Sequence, residues 1–196
     1  AASSFGGVLA GTGGFTVGGG TQFLSNVNTY TGLTTVDAGG SLALSGNGSV
    51  AASSGVVANG LFDIASATGG ASIASLSGSG GNSQVNLGAR TLTLTQAAGD
   101  FGGTMTGSGN LVVAHGTQTL SGNNTYTGTT TIQQGATLAL AGAGSIAASS
   151  GVANAGVFDI AGTTAGASIK TLSGNGAVNL GAQRLTITNA GGAYDG

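Results

Sequence analysis

Large apolar residues recur at every second position in short runs along this chain. Leu42 and Leu44 do so within Ser41 to Ser45, Phe62 and Ile64 flank Asp63, Val85 and Leu87 flank Asn86, and Leu92 and Leu94 alternate with Thr91, Thr93 and Thr95. A period of two puts one side of a strand inside and the other in water. The runs return about every ten residues, and Gly, Asn or Ser closes each of them, supplying the positive φ or side-chain hydrogen bonds that turns need. Helical periodicity is absent. The pattern predicts an all-β chain of many short strands, each with one apolar face.

The pattern also repeats as a block. Asn28-Thr29-Tyr30-Thr31-Gly32 returns as Asn124-Thr125-Tyr126-Thr127-Gly128, an offset of 96. The same offset relates Ala51-Ala52-Ser53-Ser54-Gly55 to Ala147-Ala148-Ser149-Ser150-Gly151, Phe62-Asp63-Ile64 to Phe158-Asp159-Ile160, and Ser72-Ile73 to Ser168-Ile169. It falls to 93 between Val85-Asn86-Leu87-Gly88-Ala89 and Val178-Asn179-Leu180-Gly181-Ala182. Three residues near Gly80 to Ser83 are therefore extra in the first copy, which predicts a surface loop there. Phe5-Gly6-Gly7 matches Phe101-Gly102-Gly103, and Ala193-Tyr194-Asp195-Gly196 reads as the opening of a third copy. The expected organisation is one continuous solenoid of a first cassette at 1–96, a second at 97–193 and the start of a third at 194–196, taken from a longer array.

Three architectures accommodate many short strands. A transmembrane barrel needs strands of roughly nine to eleven residues and aromatic girdles, against runs half that length, three Tyr and no Trp. A propeller repeats every forty to fifty residues or so with a signature aromatic per blade, which a 96-residue unit without Trp matches badly. A parallel β-helix stacks coils of roughly twenty residues. On that reading one cassette is about four coils and the chain about nine, some 40 Å at about 4.8 Å per coil.

Composition narrows the function. A hydrophobic fraction of 40% argues against disorder despite 42 Gly. The only cations, Arg90, Lys170 and Arg184, are scattered, so no nucleic-acid partner is expected. No apolar run is long enough for a membrane helix, so no direct membrane insertion of this segment is expected. With no cysteine there are neither disulfides nor thiolate metal sites.

The stretch Gly116-Thr117-Gln118-Thr119-Leu120-Ser121-Gly122-Asn123-Asn124-Thr125-Tyr126-Thr127-Gly128, followed by Thr129-Thr130-Thr131-Ile132 and Gly135-Ala136-Thr137-Leu138-Ala139-Leu140, resembles the passenger-associated strand repeat of bacterial autotransporters. The first copy carries it as Gly20-Thr21-Gln22-Phe23-Leu24-Ser25, Asn28-Thr29-Tyr30-Thr31-Gly32 and Gly40-Ser41-Leu42-Ala43-Leu44, departing at Val27 and at Phe23-Leu24. The resemblance implies a right-handed parallel β-helix exported across the outer membrane of a Gram-negative bacterium, at the cell surface or secreted. It also implies a stalk, adhesin or self-associating surface connected with virulence. Partners implied are host-surface proteins, homotypic contacts and neighbouring repeats of the same chain.

Residues that carry chemistry elsewhere have plainer readings here. His115 is the single histidine and its counterpart is Gly19, so it reads as a solvated strand end. Asp63 and Asp159 alternate with inward apolar residues and occupy the same place in each copy, as scaffold residues do. Asp37, Asp100 and Asp195 lie near glycine turns, where Asp bonds its own backbone. Five Asp spread along the chain form no carboxylate cluster of the kind a β-helical polysaccharide-cleaving enzyme needs. Gly80-Gly81 and Gly102-Gly103 lack the aspartates of calcium-binding repeats and read as turns. Tyr30, Tyr126, Phe5, Phe101 and Tyr194 read as aromatic stacks at coil corners rather than a sugar platform, and Asn28 and Asn124 as turn residues or a short Asn ladder. The Thr-rich runs, Thr34-Thr35, Thr91 to Thr95 and Thr129 to Thr131, raise an ice-binding alternative, but other residues interrupt them. No catalytic, cofactor-binding or metal-binding residue is expected, and the chain is read as a non-enzymatic stalk or adhesin.

Overall fold

The computed structural model describes residues 1–191. The opening of a third copy at Ala193 to Gly196, with Tyr194 and Asp195, lies outside the described residues. Every strand pairing among them is parallel, and the strands wind as a solenoid of about nine turns. Successive coils pair residues 18 (Ala167 with Leu185) to 23 (Leu61 with Gln84) apart. A parallel pair cannot be closed by a tight hairpin, so the chain must go round before it pairs. Here it goes round through three faces.

Face one stacks Ala2–Phe5, Gly20–Leu24, Gly40–Gly46, Leu61–Ala67, Gln84–Asn86 and Thr104–Thr106. Face two begins at the bridge between Val27 and Ser49. It continues through Ala71–Ile73, Leu92–Leu94, Leu111–Val113, Thr129–Ile132, Gly151–Asn154 and Leu172–Ser173. Face three stacks Phe15–Val17, Thr34–Val36, Val56–Ala58 and Leu76–Ser77. After the bridge from Gly78 to Phe101 it resumes with Gly116–Leu120, Ala136–Gly142, Val157–Thr163 and Ala177–Asn179.

Alternation becomes columns. Leu42, Phe62, Val85 and Met105 lie in register on face one, and Leu138 and Phe158 on face three, all buried. The backbone pairs along the axis while apolar side chains fill the interior, so folding satisfies both without disulfides. The same alternation in the second copy, Val178 with Leu180 and Leu185 with Ile187, ends on side chains that are 41% (Leu180) and 39% (Ile187) exposed; they belong to the last coils described.

The predicted loop is where the chain is longest. Leu61 pairs with Gln84 across 23 residues, whereas the equivalent Val157 pairs with Ala177 across 20. Gly80 to Asn82 are exposed, and Ser83 Oγ closes the loop on Ser79 O at 2.7 Å.

The estimate of four coils per cassette needs correction. Thr21, Ser41, Leu61, Gln84 and Thr104 stack on face one, which takes four coils. Thr117, the counterpart of Thr21, lies two faces further on, on face three. The same displacement carries Thr34–Val36 of face three to Thr129–Ile132 of face two, and Ala71–Ile73 of face two to Ala167–Ile169, which pairs with Leu185–Ile187. The sequence repeat is therefore four and two-thirds coils. Equivalent residues sit on different faces.

Two of the three cations cap corner carbonyls of the coil below: Arg90 reaches Ala65 O and Thr68 O, and Lys170 Nζ donates to Ala148 O at 2.8 Å. Trypsin is expected to cut first after the exposed Arg184, leaving a stable fragment 1–184; mass spectrometry showing early cleavage at Arg90 or Lys170 would contradict this.

Candidate contact surface and the clamps beneath it

The repeated Asn-x-Tyr segment is a buried polar clamp. Asn28 Oδ1 accepts from Leu9 N at 2.9 Å, and its Nδ2 donates to Asn26 O and Ser49 O. Asn124 does the same, accepting from Met105 N at 3.0 Å and donating to Gly122 O and Ser145 O. Each amide ties its own coil to the one before and the one after. The two Asn lie on different faces and bond backbone groups, so they form no Asn ladder.

Two residues on, the Tyr turns inward. Tyr126 is fully buried, with its hydroxyl 2.6 Å from Thr130 Oγ1, which lies 3.0 Å from Ser149 Oγ; the one Ser149 hydroxyl proton has Gly128 O at 2.8 Å and Gly151 O at 3.1 Å as acceptors in reach. Tyr30, Thr34 and Ser53 build the same chain at 2.6 and 2.9 Å. These Tyr are core residues with satisfied hydroxyls rather than corner stacks, and the one ring contact among the described residues is the tilted pair Phe15 and Tyr30. Sequence reading missed Thr34, Thr130, Ser53 and Ser149 as members. The signal was present in the verbatim return of Ala-Ala-Ser-Ser-Gly 96 residues later.

Burial pushes the Tyr126 phenol well above its ordinary value of 10.0, against a smaller lowering by Thr130. Because the unfolded chain ionises its Tyr first, this stabilisation is intact below pH 10 and is lost as pH rises beyond it. Alkaline unfolding monitored by circular dichroism is expected above pH 10, with a slope that Tyr126→Phe reduces. Thr130→Val keeps the shape and strands the buried Tyr126 hydroxyl, and is expected to cost about 1–3 kcal/mol in urea unfolding. A change below a few tenths would mean that the hydroxyl chain is dispensable.

The acidic residues divide differently from expectation. Asp63 and Asp159, read as outward scaffold, are the ones that bond their own backbone: each Oδ1 accepts the amide two residues on, Ala65 N at 2.9 Å and Ala161 N at 2.8 Å. Both sit where the strand register shifts, so they hold a bulge. They lie on different faces and do not form a carboxylate pair. Asp100 Oδ1 accepts from Ser121 Oγ at 2.9 Å, and Asp37 closes its turn with its backbone carbonyl on Gly40 N. His115 is exposed at a corner, with only its backbone oxygen engaged, by Ala97 N. Among the described residues no three His, Cys, Asp or Glu side chains converge. Gly80 turns with φ of 98°, but Gly103 is no turn residue: it lets the coils approach, since a Cβ there would overlap Ser83 O.

Inward-facing Gln118 patches the break in face three. Its Nε2, with two protons, lies within hydrogen-bond distance of Leu76 O, Gly99 O and Thr119 O, where Asp100–Phe101 leaves the stack irregular.

What remains outside is nearly uncharged. The outward row of face two runs Ser72, Thr93, Val112, Thr131, Ala153, Ser173. On this face Thr130 is buried and the only Thr of the outward row are Thr93 and Thr131, while Thr34 is buried on face three.

The passenger-associated-transport-repeat family matches residues 16–44 and 116–140, the two stretches that bracket these clamps. The chain carries autotransporter passenger repeats. A curated relative, the adhesin BmaC autotransporter of Brucella suis biovar 1 (strain 1330), is 38% identical over 143 residues, 67% of this chain. The chain spans only 4% of that relative's length. No solved structure matches it. In this passenger segment the family motif includes Asn28, Tyr30 and Thr34 and their counterparts Asn124, Tyr126 and Thr130, which tie coil to coil, while Ser53 and Ser149 of the clamps lie beyond it.

Proposed function

We propose that this chain is a rigid stalk of an autotransporter passenger, outside the outer membrane, whose uncharged flanks make adhesive protein contacts. The winding is taken as right-handed, as nearly all parallel crossovers are. The observation that carries the reading is the pair of passenger repeats set in a solenoid whose strands all pair in parallel. Support comes from the relative named as an adhesin and from a surface with little charge to repel a partner. At each repeat the buried Asn ties three successive coils, Leu9, Asn28 and Ser49 in the first copy and Met105, Asn124 and Ser145 in the second, which resists the local opening that proteases exploit.

The test is adhesion of beads carrying the chain to host matrix, to epithelial cells and to one another. The control is a β-solenoid of equal length with its outward residues shuffled. Binding or clumping above control is the expected result. Equality with control would reduce the segment to a passive spacer.

A further inference from the structure

The chain contains its own docking template. Where the first copy meets the second, residues 100–115 lie on residues 78–97. Thr104–Thr106 pairs with Gln84–Asn86, and Leu111–Val113 with Leu92–Leu94. Gly102 N donates to Gly78 O at 2.8 Å, and Leu87 N to Thr106 O at 2.9 Å. Phe101, Leu87 and Leu94 are wholly buried at this joint.

Both halves of the joint recur, open, at the two ends of the rod. Residues 4–19 repeat 100–115, with Phe5-Gly6-Gly7, Gly11 and Val17 at the places of Phe101-Gly102-Gly103, Gly107 and Val113. Residues 174–190 repeat 78–97 without the extra loop residues, with Leu180, Leu185 and Ile187 at the places of Leu87, Leu92 and Leu94. The backbone agrees: Gly11 and Gly107 have φ of 108° and 105°, and Gly181 and Gly88 both have 55°. Phe5, Leu180 and Ile187 are exposed, although their counterparts inside the chain are enclosed. The backbone groups that answer the template bonds are Gly6 N and Gly174 O, and Leu180 N and Ala10 O; all four residues are exposed on the ends.

We infer that a second copy of this chain docks end to end: residues 4–19 of one copy seat on residues 174–190 of another, as 100–115 seat on 78–97 within the chain. The contact continues the interface that already joins cassette to cassette. Both surfaces hold its conformation before they meet, so little ordering cost opposes docking. Parallel edge pairing supplies the hydrogen bonds, and the covered Phe and Leu side chains supply apolar burial. Because the two ends differ, the contact is head to tail, and each added copy leaves one end open, which builds filaments rather than a closed dimer. One copy is twice four and two-thirds coils, so the filament rises about 45 Å per copy at about 4.8 Å per coil. Residues 192–196 repeat positions 3–7 in sequence, with Tyr194 answering Phe5, so either chain offers that strand. This end contact is separate from the adhesive flanks and does not rest on them.

Sedimentation of the chain is expected to show mass growing with concentration, and electron micrographs to show rods whose lengths step by about 45 Å. The exposed pair Phe5→Arg and Val8→Arg blocks one end, and the exposed pair Leu180→Arg and Ile187→Arg blocks the other. Each blocked variant alone is expected to stay monomeric. An equal mixture of the two is expected to stop at a dimer, since one open head then meets one open tail. Ser72→Arg, on the outward row of face two, is expected to leave filament growth unchanged. The inference is overturned by an unaltered chain that stays monomeric, by a blocked variant that still assembles, or by a mixture that forms no dimer. Circular dichroism melts check that the variants fold, and serine pairs at the same four positions repeat the mixing if an arginine pair melts early. No host surface enters the measurement, so its failure and the failure of bead adhesion are separately visible.

Discussion

Phe158→Ala is expected to destabilise the rod by about 3–5 kcal/mol, the cost of emptying a fully enclosed aromatic site. The ring is wholly buried between Leu138 of the preceding coil and Val178 of the next. A solenoid couples each coil only to its neighbours, so the loss should be local. Hydrogen exchange is expected to show protection falling on Ala136–Gly142, Val157–Thr163 and Ala177–Asn179, while Gly20–Leu24 and Gly40–Gly46 stay protected. Phe62→Ala is expected to do the same around face one in the other copy, where Leu42 and Val85 enclose the ring. Loss of protection along the entire rod would mean that the coils fold as one cooperative unit.

Gly116→Ala is expected to cost about 2–5 kcal/mol, from about 1–2 of left-handed backbone strain and the rest from overlap. At φ of 77° a Cβ on Gly116 would run into Ala97 O on the coil below, the oxygen that accepts Thr117 N at 2.8 Å. Gly135 is its control. At φ of 82° it carries the same strain with nothing near the missing Cβ, so Gly135→Ala should cost only the strain, about 1–2 kcal/mol. The difference, read from urea unfolding, measures how tightly the coils stack. Equal losses would show that conformation alone demands glycine at Gly116.

Much of the fold was legible. The alternation of Leu42 with Leu44 and of Phe62 with Ile64 named buried residues, because an amphipathic strand has two sides wherever it ends up. The three-residue drop in offset located the loop at Gly80 to Ser83, since an insertion can be absorbed only where the backbone has no partner above and below. The polar clamps were not legible. Thr34 and Thr130 read as surface residues because a hydroxyl is ordinarily solvated, and only the arrival of Ser53 and Ser149 from the next coil makes their burial tolerable. Asp63 and Asp159 escaped for a similar reason. A bulge exists only relative to the strand it pairs with.

The sequence by itself determined a chain of short one-sided strands, a repeat of 96 residues and the turns between strands, all of which are local properties of side chains and spacing. The tertiary structure alone decided that a coil has three faces and that the repeat contains four and two-thirds coils. Coil length is set by where the backbone meets the coil below, a hydrogen-bonding condition between residues 18 to 23 apart. Nothing in a 96-residue spacing records that condition, and so nothing in it reveals that equal sequences face different ways.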